Sequence, residues 1–110
     1  MKYVFDLDGT LCTDTHGNYE LAEPIDSRIR IINQLFDNGN EITIYTARGM
    51  NTFKNNQIKA IQKYYSLTEQ QLRKWNIKYH NLILGKPAAD FYIDDKGIND
   101  EDYFRTNVCT

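Results

Sequence analysis

The run Lys2-Tyr3-Val4-Phe5-Asp6-Leu7-Asp8-Gly9-Thr10 constrains this chain more than any other stretch. Its aromatic and β-branched residues mark a buried strand, which stops at two carboxylates spaced i and i+2. Extended geometry aims such a pair to one side. Two like charges there repel unless a hard cation lies between them, and Mg2+ favours one or two carboxylates completed by water and phosphate oxygens. Gly9 permits a sharp turn and a close backbone approach to a ligand. Thr10 adds a hydroxyl and an amide at that turn. A lone pair of acids can be a solvated strand exit; the sequence Asp-x-Asp-Gly-Thr directly after a buried strand is far more specific.

Downstream, the polar stretch Leu11 to Glu23 predicts a small hairpin or flap over the Asp6 and Asp8 end, with His16 on it as a surface residue or a substrate contact. Pro24 opens a helix to about Asn38, with Ile25, Ile29, Ile32, Leu35 and Phe36 at helical spacing and Gly39 as its cap. Glu41 to Thr46 is a second strand, joined by a tight turn that suits a parallel right-handed crossover. Gly49 to Asn56 is loop-like. Ile58 to Tyr65 predicts a short helix. Thr68 with Gln71 reads as the capping box of another helix through Trp75. Ile77 to Leu84 is a third strand candidate, closed by Gly85-Lys86-Pro87. Phe91-Tyr92-Ile93 is a fourth, ending at Asp94-Asp95, and Lys96 to Thr110 is a short helix or irregular tail.

In parallel α/β sheets ligands bind beyond the carboxyl ends of strands. The four expected strands end at Asp6/Asp8, Thr46, Lys86 and Asp94/Asp95, so acids, a hydroxyl and an ammonium are expected at one edge. A chain of 110 residues fits one domain, 1–110, and a second is not expected. A net charge of -2 gives no general electrostatic reason to bind nucleic acid or an anionic membrane. Cys12 and Cys109 suggest free thiols in a reducing compartment. The first apolar run is too short for a signal peptide or membrane span, which makes a cytoplasmic location the expectation.

Taken together these motifs resemble the haloacid dehalogenase-like hydrolase superfamily over essentially the whole chain. Its first motif corresponds to Asp6-Leu7-Asp8-Gly9-Thr10, the second to Thr46, the third to Lys86 and the fourth to Asp94-Asp95. The resemblance implies a three-layer Rossmannoid α/β fold with a mostly parallel central sheet, a short flap after the first strand and no cap domain. It also implies Mg2+ and phosphoryl transfer through an aspartyl-phosphate. Thr46-Ala47-Arg48-Gly49, Leu84-Gly85-Lys86-Pro87 and Ile93-Asp94-Asp95-Lys96 are similar to small phosphatases of capsule and lipopolysaccharide biosynthesis clusters.

In that chemistry Asp6 is the nucleophile, because attack by a carboxylate on phosphorus splits one hard step into two. Asp8 protonates the leaving alkoxide and then takes a proton from water. The Thr46 hydroxyl and the Lys86 ammonium stabilise the phosphoryl group. Thr10, Thr46, Ala47, Arg48 and Lys86 form the expected substrate-contacting set; Arg48 either grips a second anionic group or pairs with an acid at the sheet edge. By resemblance the metal shell draws on an Asp6 oxygen, the Asp8 backbone carbonyl and the Asp95 carboxylate, with Asp94 orienting Lys86 or a metal-bound water, or with that pair reversed. The expected substrate is a small phosphomonoester such as a sugar or polyol phosphate. A nucleic-acid end, or a non-enzymatic phospho-acceptor role, are the alternatives. An open site would take its specificity from the Thr13 to Asn18 flap, the Gly49 to Asn56 loop, a neighbouring copy in a homo-oligomer, or a large substrate.

Overall fold

The computed structural model describes residues 1–106. Three strands, β1 (Lys2–Phe5), β2 (Glu41–Thr46) and β3 (Asn81–Leu84), pair in parallel in the order β1-β2-β3. Helix α1 (Asp26–Asp37) joins the first two and α2 (Gln57–Lys74) the second two, while α3 (Asp100–Thr106) follows the sheet. The small parallel α/β fold expected from the sequence is present.

Because β1, β2 and β3 advance in one direction across the sheet, right-handed crossovers put α1 and α2 on the same face. The residues agree with that rule. Phe5 pairs with Ile44 and Tyr3 with Ile42, and Phe5, Ile42 and Ile44 share one core with Ile29 and Ile32 of α1 and Leu72 of α2. Helix α3 lies on that face too, with Phe104 stacked on Phe5, Tyr103 edge-on to it, and Arg28 of α1 ion-paired to Asp100 at 2.6 Å. The opposite face carries Val4 and Ile83, which remain 66% and 45% exposed. The described residues therefore make two layers, not the three expected.

Several local expectations are corrected. Helix α1 starts at Asp26 rather than Pro24; Pro24 instead bridges Cys12. The flap is not a regular hairpin: Asp8 and Cys12 form an isolated bridge, and Tyr19–Leu21 is a single turn of 3-10 helix. The two helices expected around Ser66 are one continuous helix, in which Thr68 lies mid-helix and its hydroxyl donates to the Tyr64 carbonyl. The third strand is only Asn81–Leu84. Phe91-Tyr92-Ile93 forms no strand, and its side chains are 82%, 52% and 95% exposed. Six residues link it to β3, whereas a parallel crossover takes about a dozen or more. Among the described residues no helix is long and apolar enough to cross a membrane. Cys12 is a buried free thiol, and Cys109 lies outside the described residues.

Candidate active site

The site begins where β1 ends. Gly9 takes φ +82°, which lets the chain reverse so that its amide bonds the Cys12 carbonyl and the Thr10 amide bonds the Leu7 carbonyl. That turn carries Thr10 back over the strand end, where its hydroxyl donates to Asp6 Oδ2 at 2.9 Å. Lys86, two residues beyond β3, approaches Asp6 Oδ1 at 3.6 Å. Its position follows from the backbone, since the Gly85 and Lys86 amides both bond the Thr46 carbonyl at the end of β2. Burial raises the Asp6 pKa, against the opposing pull of the Lys86 charge and the Thr10 hydrogen bond. The Tyr92 ring centroid lies 4.3 Å from the Lys86 ammonium.

Asp8 is held differently. Arg48 Nε donates to its Oδ2 at 2.9 Å and Nη2 to its Oδ1 at 3.0 Å, a forked pair in which the arginine side chain is 0% exposed. The remaining guanidinium nitrogen, Nη1, donates to Thr68 Oγ1 at 3.1 Å and Gln71 Oε1 at 2.6 Å. Gln71 Nε2 donates onward to the Tyr19 carbonyl, and the Gly49 amide donates to the Tyr19 hydroxyl at 3.0 Å. The Tyr19 ring lies under the guanidinium and edge-on to Tyr64. One arginine thus joins the β1 turn, the β2 turn, the flap and α2.

Of the two roles open to Arg48, pairing with an acid is the one the geometry has. A second-anion grip is not, because its donors are buried and engaged. Thr46 is 1% exposed, and its hydroxyl accepts the Arg48 amide at 3.2 Å as a strand-end cap would. Ala47 sits half-buried in the same turn, its carbonyl accepting the Met50 amide. His16 is on the outer surface of the flap with a 90% exposed side chain.

The late acids are not gathered to the early ones. Asp94 Oδ1 accepts the Lys96 and Gly97 amides of its own loop, which lower its pKa, and both Asp94 and Asp95 are exposed. Among the described residues no group of three or more His, Cys, Asp or Glu is arranged to hold a metal ion. Asp94 and Asp95 stay exposed on their own loop, so among the described residues one chain does not bring the late carboxylate of the expected Mg2+ shell to Asp6. The physical reason is the missing fourth strand, which was to carry Asp94 and Asp95 to this edge.

Sequence reasoning missed the network behind Arg48. Its signal was present in the spacing of Thr68 and Gln71, three residues apart, which places both on one helix face. It also missed Cys12, whose thiol donates to Asp8 Oδ1 at 3.5 Å and is pushed up to about 12 by burial and the Asp8 charge.

The chain matches the crystal structure of an MCSG target from Vibrio cholerae with a TM-score of 0.85 and 30% identity, over 93% of this chain and 85% of that one. It belongs to the family of that protein. No protein-family model and no curated protein matches it.

Proposed function

We propose that the chain is a phosphomonoester hydrolase of the haloacid dehalogenase type, acting through an aspartyl-phosphate on Asp6. The observation that carries the reading is the meeting of Asp6, Lys86 and Thr10: two loops that follow different strands deliver a cation and a hydroxyl to the two oxygens of one carboxylate. A carboxylate flanked in this way is oriented, and the ammonium beside it can take one oxygen of an incoming phosphoryl group.

In the first step an Asp6 oxygen forms a bond to phosphorus while the ester P–O bond breaks and the alkoxide leaves with a proton. In the second, water attacks that phosphorus, loses a proton, and displaces the Asp6 carboxylate, releasing inorganic phosphate. Asp8 is the nearby acid available to give and recover the proton. Its Oδ2 accepts from Arg48 Nε and keeps a second lone pair for the proton, while the forked contact holds the side chain in place. Magnesium enters this reading through the sequence resemblance alone. The substrate class is a small sugar or polyol phosphate of surface-polysaccharide synthesis.

The test is release of inorganic phosphate from a panel of sugar phosphates, polyol phosphates, nucleotides and phosphopeptides, with and without Mg2+. Multiple turnovers by the wild-type chain and none by a folded Asp6→Asn variant are the expected result. Equal phosphate release by Asp6→Asn would overturn the reading.

A further inference from the structure

We infer that the strand missing from each sheet is supplied by a second copy of this chain, whose residues 91–93 add in parallel to the outer edge of β1. This rests on the hydrolase reading for its consequence at the site, but its structural grounds are independent.

The first ground is an unfilled edge together with a segment that pairs with no strand. β1 pairs with β2 alone among the described strands, and an open strand edge is a template for another chain. Phe91-Tyr92-Ile93 has strand-forming composition, yet Phe91 and Ile93 are 82% and 95% exposed. Setting Phe91 beside Tyr3, Tyr92 beside Val4 and Ile93 beside Phe5 turns the two most exposed of the three into the core face. Tyr92 then joins Val4 on the open face.

The second ground is reach, which separates the same chain from a second one. The outer edge of β1 is three strand spacings from β3, about 14 Å at roughly 4.8 Å each. A parallel partner must also return to the start of the strand, about 10 Å along its length. The backbone from 85 to 88 is already fixed: Gly85 and Lys86 amides bond Thr46, and the Ala88 amide bonds Asn55 Oδ1 at 3.0 Å. From Ala88 to Phe91 the chain spans at most about 11 Å, too little for the trip around the sheet. A donor chain has no such restriction.

The third ground is that the exchange repeats contacts already present. Helix α3 sits on Tyr3 and Phe5 of β1 and on Arg28. If α3 is handed over together with residues 91–93, and the 94–99 loop adjusts between them, α3 takes the same place on the recipient. Exchange of an identical element is a low-cost route to a dimer, with Pro87 to Asp90 as the hinge.

At the site, the register puts Asp94 of the donor level with Asp6 of the recipient, and Asp95 next to it. The three acids that one chain keeps apart then converge across two. Each site is therefore shared between copies.

The test pairs two readouts. In a Cys109→Ser background, Val4→Cys with Tyr92→Cys should give disulfide-linked dimers on a non-reducing gel; bonds within one chain, or none, would overturn the exchange whatever the activity. For function, Asp6→Asn chains and Asp94→Asn/Asp95→Asn chains, each inactive, are refolded together in equal amounts. Random exchange leaves about one quarter of the sites with all their acids, so roughly a quarter of wild-type turnover should return. No recovery from a mixture whose wild-type control is active would also overturn the exchange. A wild-type control without phosphatase activity, alongside linked dimers, would instead refute the hydrolase reading and leave the exchange standing.

Discussion

Arg48 and Asp8 are joined by two hydrogen bonds of 2.9 and 3.0 Å, with the guanidinium wholly out of solvent. A buried arginine without its acid is an uncompensated charge, and removing one member of such a pair costs about 3–5 kcal/mol. Asp8 itself keeps 17% of its side chain exposed, which places the loss near the lower end.

Asp8→Ala is accordingly expected to lower unfolding stability by about 3 kcal/mol. Arg48→Lys should recover little, because a lysine cannot make the fork or reach Thr68 and Gln71 together. Urea titrations of the single and double variants measure this. Independent, additive losses at the two positions would contradict a coupled pair.

Asp6 gives a prediction with the opposite sign. Burial raises its pKa above the unfolded value of about 3.9, so folding favours the neutral form. Its contribution to stability is complete below the unfolded pKa and is lost as pH rises through the raised folded one. Asp6→Asn should therefore melt higher than wild type at pH 7 in chelator, with the gap closing as pH falls towards 3. A variant that melts lower than wild type at pH 7 would count against this.

The Cys12 thiol, held near 12, should be close to inert. At pH 8 its thiolate fraction is roughly three orders of magnitude below that of a free cysteine. With Cys109→Ser, a thiol-reactive dye is expected to label the chain only in denaturant. Prompt native labelling would show that the thiol is neither buried nor held near 12.

The strand, helix and strand from Lys2 to Thr46 are legible in sequence because hydrophobic spacing changes there from two to three and four, with Gly39 marking the change back. Asp6, Thr10 and Lys86 were legible for a related reason, as each lies in the turn that follows a strand. Thr68 was not, since the same i, i+3 spacing serves a capping box or a buried face, and only the tertiary contact with Arg48 chooses. Phe91 to Ile93 was read by composition, which cannot register that six residues are too few for the return journey.

Gly49 and Gly17 separate two costs of a side chain. Both have positive φ, +78° and +99°, but a Cβ at Gly49 would lie 2.7 Å from the Tyr64 ring, whereas at Gly17 nothing lies within 4 Å. Gly17→Ala should cost about 1–2 kcal/mol from the backbone alone. Gly49→Ala should cost distinctly more and loosen Tyr19, which melting curves and tyrosine fluorescence would register. Equal losses at the two sites would show that Tyr64 yields freely.

Tyr19 ties the strap after β1 to its surroundings at three points: the Gly49 amide, the Gln71 amide group and the Tyr64 ring. A strap moored so firmly is an aperture rather than a door. Whatever approaches that end of the sheet meets a surface already set, with no hinge to swing before contact.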